Sequence, residues 1–174
     1  MTLIELIIVM IIVVVLMAIG VPSYRYVTTS NRVSTEVNSL LWDLQYARSE
    51  AVREGEPVTV CVSDGAASPT CASSGTTTWQ NGWIVYSNPS NVSAPDSSDP
   101  ILRVQQPFTS GDTFTSDHAT SSITFNRNGF ASLGTSLVTL KVQDASSNTL
   151  YDRCLELTQI GAMSTQTHAS QSSC

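Results

Sequence analysis

Basic residues are what this sequence has least of. Lys141 is the only lysine, and Lys and Arg together number 8 against 14 Asp and Glu, for a net charge of -6. A polycationic surface for nucleic acid is therefore disfavoured. The signatures of the common enzymes are missing as well. There is no GxSxG elbow, no Walker A loop, no GxGxxG turn and no histidine–carboxylate pattern for a metal. The two histidines, His118 and His168, sit in Ser/Thr-rich stretches with no cysteine or second histidine at ligand spacing. No catalytic residue, cofactor or metal is expected. With 174 residues the chain is long enough for one compact domain.

What the sequence does have is a polarity gradient. Leu6 to Val21 contains no polar side chain, and the remainder is rich in Ser and Thr. As a helix, residues 1–21 span about 30 Å, the thickness of a bilayer's hydrocarbon layer. No positive n-region precedes the run and no small-x-small cleavage site follows it, so it does not read as a signal peptide. An unbroken apolar run of this length also disfavours a buried core helix. Glu5 stands at its edge. An ionisable group there either marks a specific partner, or is an interfacial carboxylate favoured by the helix macrodipole. The residues alone leave both open.

Met1-Thr2-Leu3-Ile4-Glu5-Leu6, followed in register by Pro22-Ser23-Tyr24, resembles the mature N-terminus of type IV pilins and type II secretion pseudopilins. The departure is at position 1, where Met1 stands in place of phenylalanine. The resemblance implies processing by a prepilin peptidase, with N-methylation of the Met1 amine. It also implies storage in the inner membrane as a single-pass subunit, then assembly with other pilin subunits into an extracellular filament. Glu5 and the Met1 amine become the assembly residues. Pro22 becomes a helix break, since proline removes a backbone donor and Gly20 nearby eases bending.

Beyond Pro22 the pattern turns amphipathic. Val33, Val37, Leu40, Leu44, Ala47 and Ala51 recur at steps of three and four, widened by Leu41. Arg32, Glu36, Asp43, Arg48, Glu50 and Arg53 occupy other positions, and Glu50 and Glu54 read as solvated helix charges. Gly55 and Pro57 give the stop. The spacing predicts one helix of about fifty residues. Residues 1–28 form its membrane or filament-core half, and residues 29–174 a globular domain whose helical part runs to about 54.

After Gly55 the helical period disappears. Segments 58–62, 83–86, 101–104, 123–125, 137–142 and 154–157 are short, β-branched or aromatic, and bounded by turn residues. The predicted fold class is α+β, with a long N-terminal helix packed on an antiparallel β-sheet or β-sandwich. Trp79 and Trp83 flank Asn81-Gly82, a hairpin-type signal, and are expected mainly to pack the core. Any of Trp79, Trp83, Tyr86 and Phe130 left exposed would suit docking against another subunit. Asn91-Val92-Ser93 has the form of a glycosylation acceptor.

Leu44–Ala51, Val58-Thr59-Val60-Cys61, Trp79–Trp83, Phe125–Phe130 and Arg153-Cys154-Leu155 are similar to the GspH/FimT branch of the pilin superfamily. That resemblance implies a minor pilin or a pseudopilin, although a major pilin is not separable on sequence. DNA-uptake members of the branch carry a GRxR motif. The matching position here is Gly161-Ala162-Met163-Ser164, where both arginines are missing. Few cations mean little counterion release, so DNA is disfavoured as a partner.

Cys61, Cys71, Cys154 and Cys174 form an even set outside the apolar run and match no redox or zinc spacing. Two disulfides in an oxidising compartment are expected. Of the three possible pairings, Cys61–Cys71 and Cys154–Cys174 are sequence-local, and the second staples the C-terminus to the domain. Non-reducing peptide mapping of the secreted form is expected to show no free thiol and these two bridges. The second is worth about 3 kcal/mol in the chain-entropy model. A Cys61–Cys154 crosslink would overturn the pairing.

Overall fold

The structure is a computed structural model that describes residues 2–65, 70–90, 99–168 and 174. It divides into two compact units, Met1–Arg32 and Val33–Cys174. Helix α1 (Leu3–Glu54) contributes to both.

In the first unit α1 runs without interruption through Pro22, so the helix break expected there is absent. Proline withdraws its own N–H and crowds the carbonyl four residues back, that of Ala18, but its fixed φ is already helical and the helix continues across it. A Cβ built on Gly20, two residues earlier, would meet nothing within 4 Å, so the backbone here is not pressed by a neighbour. The apolar side chains from Leu3 to Val21 are solvent-exposed.

In the second unit α1 buries Val33, Val37, Leu40, Leu44, Ala47 and Ala51, the stripe its periodicity announces. The helix ends where Gly55 N–H donates to Ala51 O at 3.1 Å. A five-stranded antiparallel sheet comes next, built from β1 (Val58–Val62), β2 (Trp83–Ser87), β3 (Ile101–Gln105), β5 (Ser122–Phe125) and β6 (Ala131–Ser132) in the order β3-β2-β1-β5-β6. A four-stranded sheet has the order β4-β7-β8-β9, with β4 (Thr113–Ser116), β7 (Leu137–Gln143), β8 (Arg153–Thr158) and β9 (Met163–Thr167). Every strand pairing is antiparallel.

One core joins the helix stripe to the inward faces of both sheets. Val58, Val60 and Val62 of β1 meet Ile123 and Phe125 of β5, Val138, Leu140 and Val142 of β7, and Leu155 and Leu157 of β8. These positions alternate along each strand, as a pleated sheet with one core face requires. β1 and β2 are buried on both faces, because Cys61, Ile84 and Tyr86 form a second cluster with Cys71. Cys61 is bridged to Cys71 and Cys154 to Cys174, each pair with Cα atoms 5.6 Å apart.

Asn81-Gly82 is not the tip of a hairpin. Trp79–Asn81 is a single 3-10 turn that leads directly into β2. Gly82 has φ +87°, and a Cβ there would stand 2.2 Å from Gln105 O, so only glycine fits this approach of β2 to the end of β3. Strands β4, β6 and β9 were not visible in the sequence. Each presents at most one large apolar side chain inward (Phe114 in β4), and each is set by the register of its neighbour.

Two acidic residues of α1, Asp43 and Glu36, are turned inward. Trp83 Nε1 donates to Asp43 Oδ2 at 2.8 Å, and Arg103 Nη1 donates to Asp43 Oδ1 at 2.9 Å. The Arg103 guanidinium also lies 3.9 Å from the Tyr46 ring centroid. Glu36 is buried and accepts from Ser110 Oγ at 2.8 Å. Both acids occupy positions on the apolar stripe, one step from Val37 and Leu44, so the helix face that buries methyl groups also carries its polar ties to the sheet. Asp43→Ala leaves Trp83 Nε1 without its acceptor in the core. It is expected to cost about 2 kcal/mol, read as a lower urea midpoint of the second unit with an unchanged m-value.

Candidate assembly surface

The start of α1 is a capping box. Glu5 N–H faces Thr2 Oγ1 at 3.4 Å, and Thr2 N–H donates back to Glu5 Oε2 at 3.3 Å. Thr2 is the N-cap and Glu5 the third helical residue; the Glu5 carboxylate covers Thr2 N–H, and Glu5 N–H is shared between Thr2 Oγ1 and Thr2 O, the latter at 3.1 Å. The Thr-x-x-Glu pattern is itself the sequence signal for such a cap, carried by the same residues that give the family likeness. Met1, the other assembly residue expected, lies outside the described residues. So does the Asn91-Val92-Ser93 acceptor.

Of the four aromatics considered for docking, Trp79, Trp83 and Tyr86 are fully buried. Trp79 Nε1 donates to Thr120 O at 3.0 Å, and Trp83 packs edge-on against Phe108 and Phe114. Burial pushes the Tyr86 hydroxyl above its ordinary pKa, partly offset by its hydrogen bond with Thr59. Phe130 is exposed. The aromatic that sequence reasoning missed is Trp42, which is 66% exposed.

Trp42 belongs to an outward stripe of α1 in the second unit. Thr35, Asn38, Trp42, Gln45, Ser49 and Val52 recur at steps of three and four, all exposed and none charged. Beside its lower end a groove runs between Ser49 and Val52 and the Asn128-Gly129 turn. Arg48 fixes that turn. Its Nε donates to Gly129 O at 3.0 Å and its Nη2 to Ile160 O at 3.3 Å, so one side chain holds a turn from each sheet. Ala131 N–H donates to Gln159 O at 2.8 Å across the same junction. Gly161, with φ +76°, approaches so closely that a Cβ would lie 2.4 Å from Gly129 O. Gly161 and Ala162 therefore close the turn into β9, which begins at Met163, and Gly161 packs on the turn that follows β5.

The cations of the second unit are largely occupied. Arg103 is tied to Asp43, and Lys141 Nζ lies 2.7 Å from the fully buried Asp152 Oδ2. Arg153 Nη1 donates to Asp152 O at 3.1 Å. Arg53 pairs with Glu50 and Glu54, which holds its guanidinium above its usual pKa through the Glu50 hydrogen bond and charge. No group of three or more His, Cys, Asp or Glu able to hold a metal occurs among the described residues.

A long helix with an uncovered apolar half, whose other half is the spine of a two-sheet antiparallel body, defines the class of pilin-like subunits. The family model described as type II transport protein GspH matches residues 36–161, and the chain belongs to that family. Its members are structural pilin-like proteins, not enzymes. The fold is similar to that of the type IV minor pilin FimU of Pseudomonas aeruginosa, with a TM-score of 0.62 and 22% identity over 80% of this chain and 91% of that one. It is also similar to the minor pseudopilin EpsH from the type 2 secretion system of Vibrio cholerae, with a TM-score of 0.55 and 9% identity over 78% of this chain and 96% of that one. No curated protein matches this chain.

Because Trp42 lies on the outside of the fold, Trp42→Ala is expected to change unfolding stability by no more than about 0.5 kcal/mol. The same variant is expected to lower the amount of the subunit recovered in sheared filaments. Unchanged recovery would remove Trp42 from the assembly surface.

Proposed function

We propose that this protein is a structural subunit of a type IV pilus or a related filament, held in the inner membrane by the first half of α1 and assembled from there. The observation that carries the reading is the apolar helix surface from Leu3 to Val21, which is exposed along its whole length. Such a surface is stable only in lipid or among other helices. A minor, tip-proximal or priming position is favoured over the bulk position by membership of the GspH family and by the likeness to a minor pilin and a minor pseudopilin. The same family description favours a type II secretion pseudopilin as the second reading.

Assembly in this reading exchanges one partner of Glu5 for another. In the free chain its carboxylate closes the capping box with Thr2. In the filament it pairs with the Met1 amine, N-methylated after prepilin peptidase cleavage, of a neighbouring subunit. An unpaired carboxylate in an apolar helix bundle is costly, so this pairing sets the axial register. A DNA-uptake role finds little support. Arg103 and Lys141 are already engaged with carboxylates, and Ala162 and Ser164 replace the basic residues of the uptake motif.

Removing residues 1–28 is expected to give a folded, soluble monomer that no longer enters filaments, as measured by sedimentation of surface-sheared material. Glu5→Ala in the full chain is expected to remain in the membrane fraction while its incorporation falls about tenfold, the loss of one paired charge of about 1.4 kcal/mol. Filaments built from the truncated chain would sink the reading, and wild-type incorporation of the Glu5 variant would sink the register role.

A further inference from the structure

The boundary of the apolar segment has a structure of its own. Val21 ends the apolar run, and Ser23, Thr28, Thr29, Ser30, Asn31 and Arg32 follow within three turns. Between Ser23 and Thr28 lie Tyr24, Arg25 and Tyr26, with Tyr24 72% and Tyr26 50% exposed. The Tyr24 hydroxyl and the Arg25 guanidinium have no hydrogen-bond or ion-pair partner among the described residues, although the carbonyls of both residues accept from Thr28 Oγ1. No acidic residue stands between Glu5 and Glu36, so the helix offers Arg25 no nearby anion.

The three side chains are consecutive. On a helix, consecutive residues point about 100° apart, so the triplet sweeps more than half of the circumference instead of marking one face. A surface for docking another helix would repeat at steps of three and four. A collar around the axis fits a planar boundary. Its chemistry fits the same boundary, since a tyrosine ring is apolar with a polar tip and arginine can extend its charge away from an apolar stem. The collar also stands at the right distance. Leu3 to Val21 rises about 28 Å as a helix, against about 30 Å for a hydrocarbon layer.

We propose that Tyr24, Arg25 and Tyr26 bind the phosphate headgroup layer of a phospholipid bilayer and set the depth of the apolar helix in it. The inference rests on the reading that this segment is stored in a membrane, and it adds a consequence for Glu5. With the collar at one headgroup layer, Glu5 lies about 29 Å away along the axis, at the opposite boundary and not in mid-bilayer. A carboxylate and its capping threonine are then tolerated before assembly, because water and headgroups reach them.

The test uses the full chain in vesicles of phosphatidylcholine and phosphatidylglycerol, with Gly20→Cys or Thr28→Cys as reporter and a water-soluble maleimide as probe. Arginine carbon labels read proximity to lipid phosphorus by solid-state NMR. Protection at Gly20→Cys, labelling at Thr28→Cys and a phosphorus-proximal arginine signal that Arg25→Gln abolishes are expected. Adding Tyr24→Ser, Arg25→Ser and Tyr26→Ser together is expected to raise labelling at Gly20→Cys about fivefold. If Gly20→Cys is labelled freely in the otherwise unaltered chain, membrane storage itself fails. If it is protected but neither the phosphorus signal nor the labelling responds to the collar variants, the collar alone is overturned.

Discussion

The structure is organised by an apolar helix surface that its own chain does not cover. From Leu3 to Val21 the side chains of α1 are exposed in the free subunit. Burying a single such side chain is worth about 1.5–3 kcal/mol, so a run of them outweighs the stability of a typical domain. The subunit can therefore persist only where something else supplies the cover. The helix must be continuous and capped, because an unpaired backbone group in lipid or in a helix bundle is costly. The Thr2–Glu5 box answers that requirement at the start of α1, while at Pro22 the helix continues with one backbone donor fewer.

Past Arg32 the same helix meets the opposite demand, since it must hold a body that stays folded in water. It does so with a narrow apolar stripe and a few polar ties at the stripe's edge. Asp43 reaches Trp83 and Arg103, Glu36 reaches Ser110, and Arg48 reaches the turns of both sheets. Each tie joins α1 to a different part of the body. Helix and sheets thus share one core and one set of directional contacts, and Trp42 stays exposed on the opposite face of the helix.

Much of this was legible in the sequence because periodicity carries it. The stripe from Val33 to Ala51, the alternation in β5 and β7 and the end of α1 at Gly55 are dictated by where apolar and turn residues recur. The features that escaped were set by tertiary partners. β4 and β9 are mostly Ser, Thr and Gln, and become strands because β7 and β8 offer them a register. Nothing in the spacing of Asp43 announces the buried indole N–H of Trp83 that it accepts from. Trp79 and Trp83 were recognised as core residues, but the turn between them was misjudged, because Asn-Gly signals a tight bend without specifying the element on either side of it. The exposed Trp42 gave no periodic signal, being a single aromatic on a polar face.

Gly161 bears on how this family can change its binding partners over evolutionary time. Its backbone is pressed against Gly129 O, and no larger residue fits without moving two turns. Ala162 and Ser164, close after it, are exposed, and the contacts of Ala162 run through its backbone. The glycine of a GRxR-like turn is therefore a requirement of the scaffold, whereas the positions that would carry arginine are under no such constraint. A lineage could gain or lose affinity for a polyanion by two substitutions at this turn while its architecture stayed fixed. Likeness in overall shape is then a poor guide to ligand, and a glycine retained here is no sign of one.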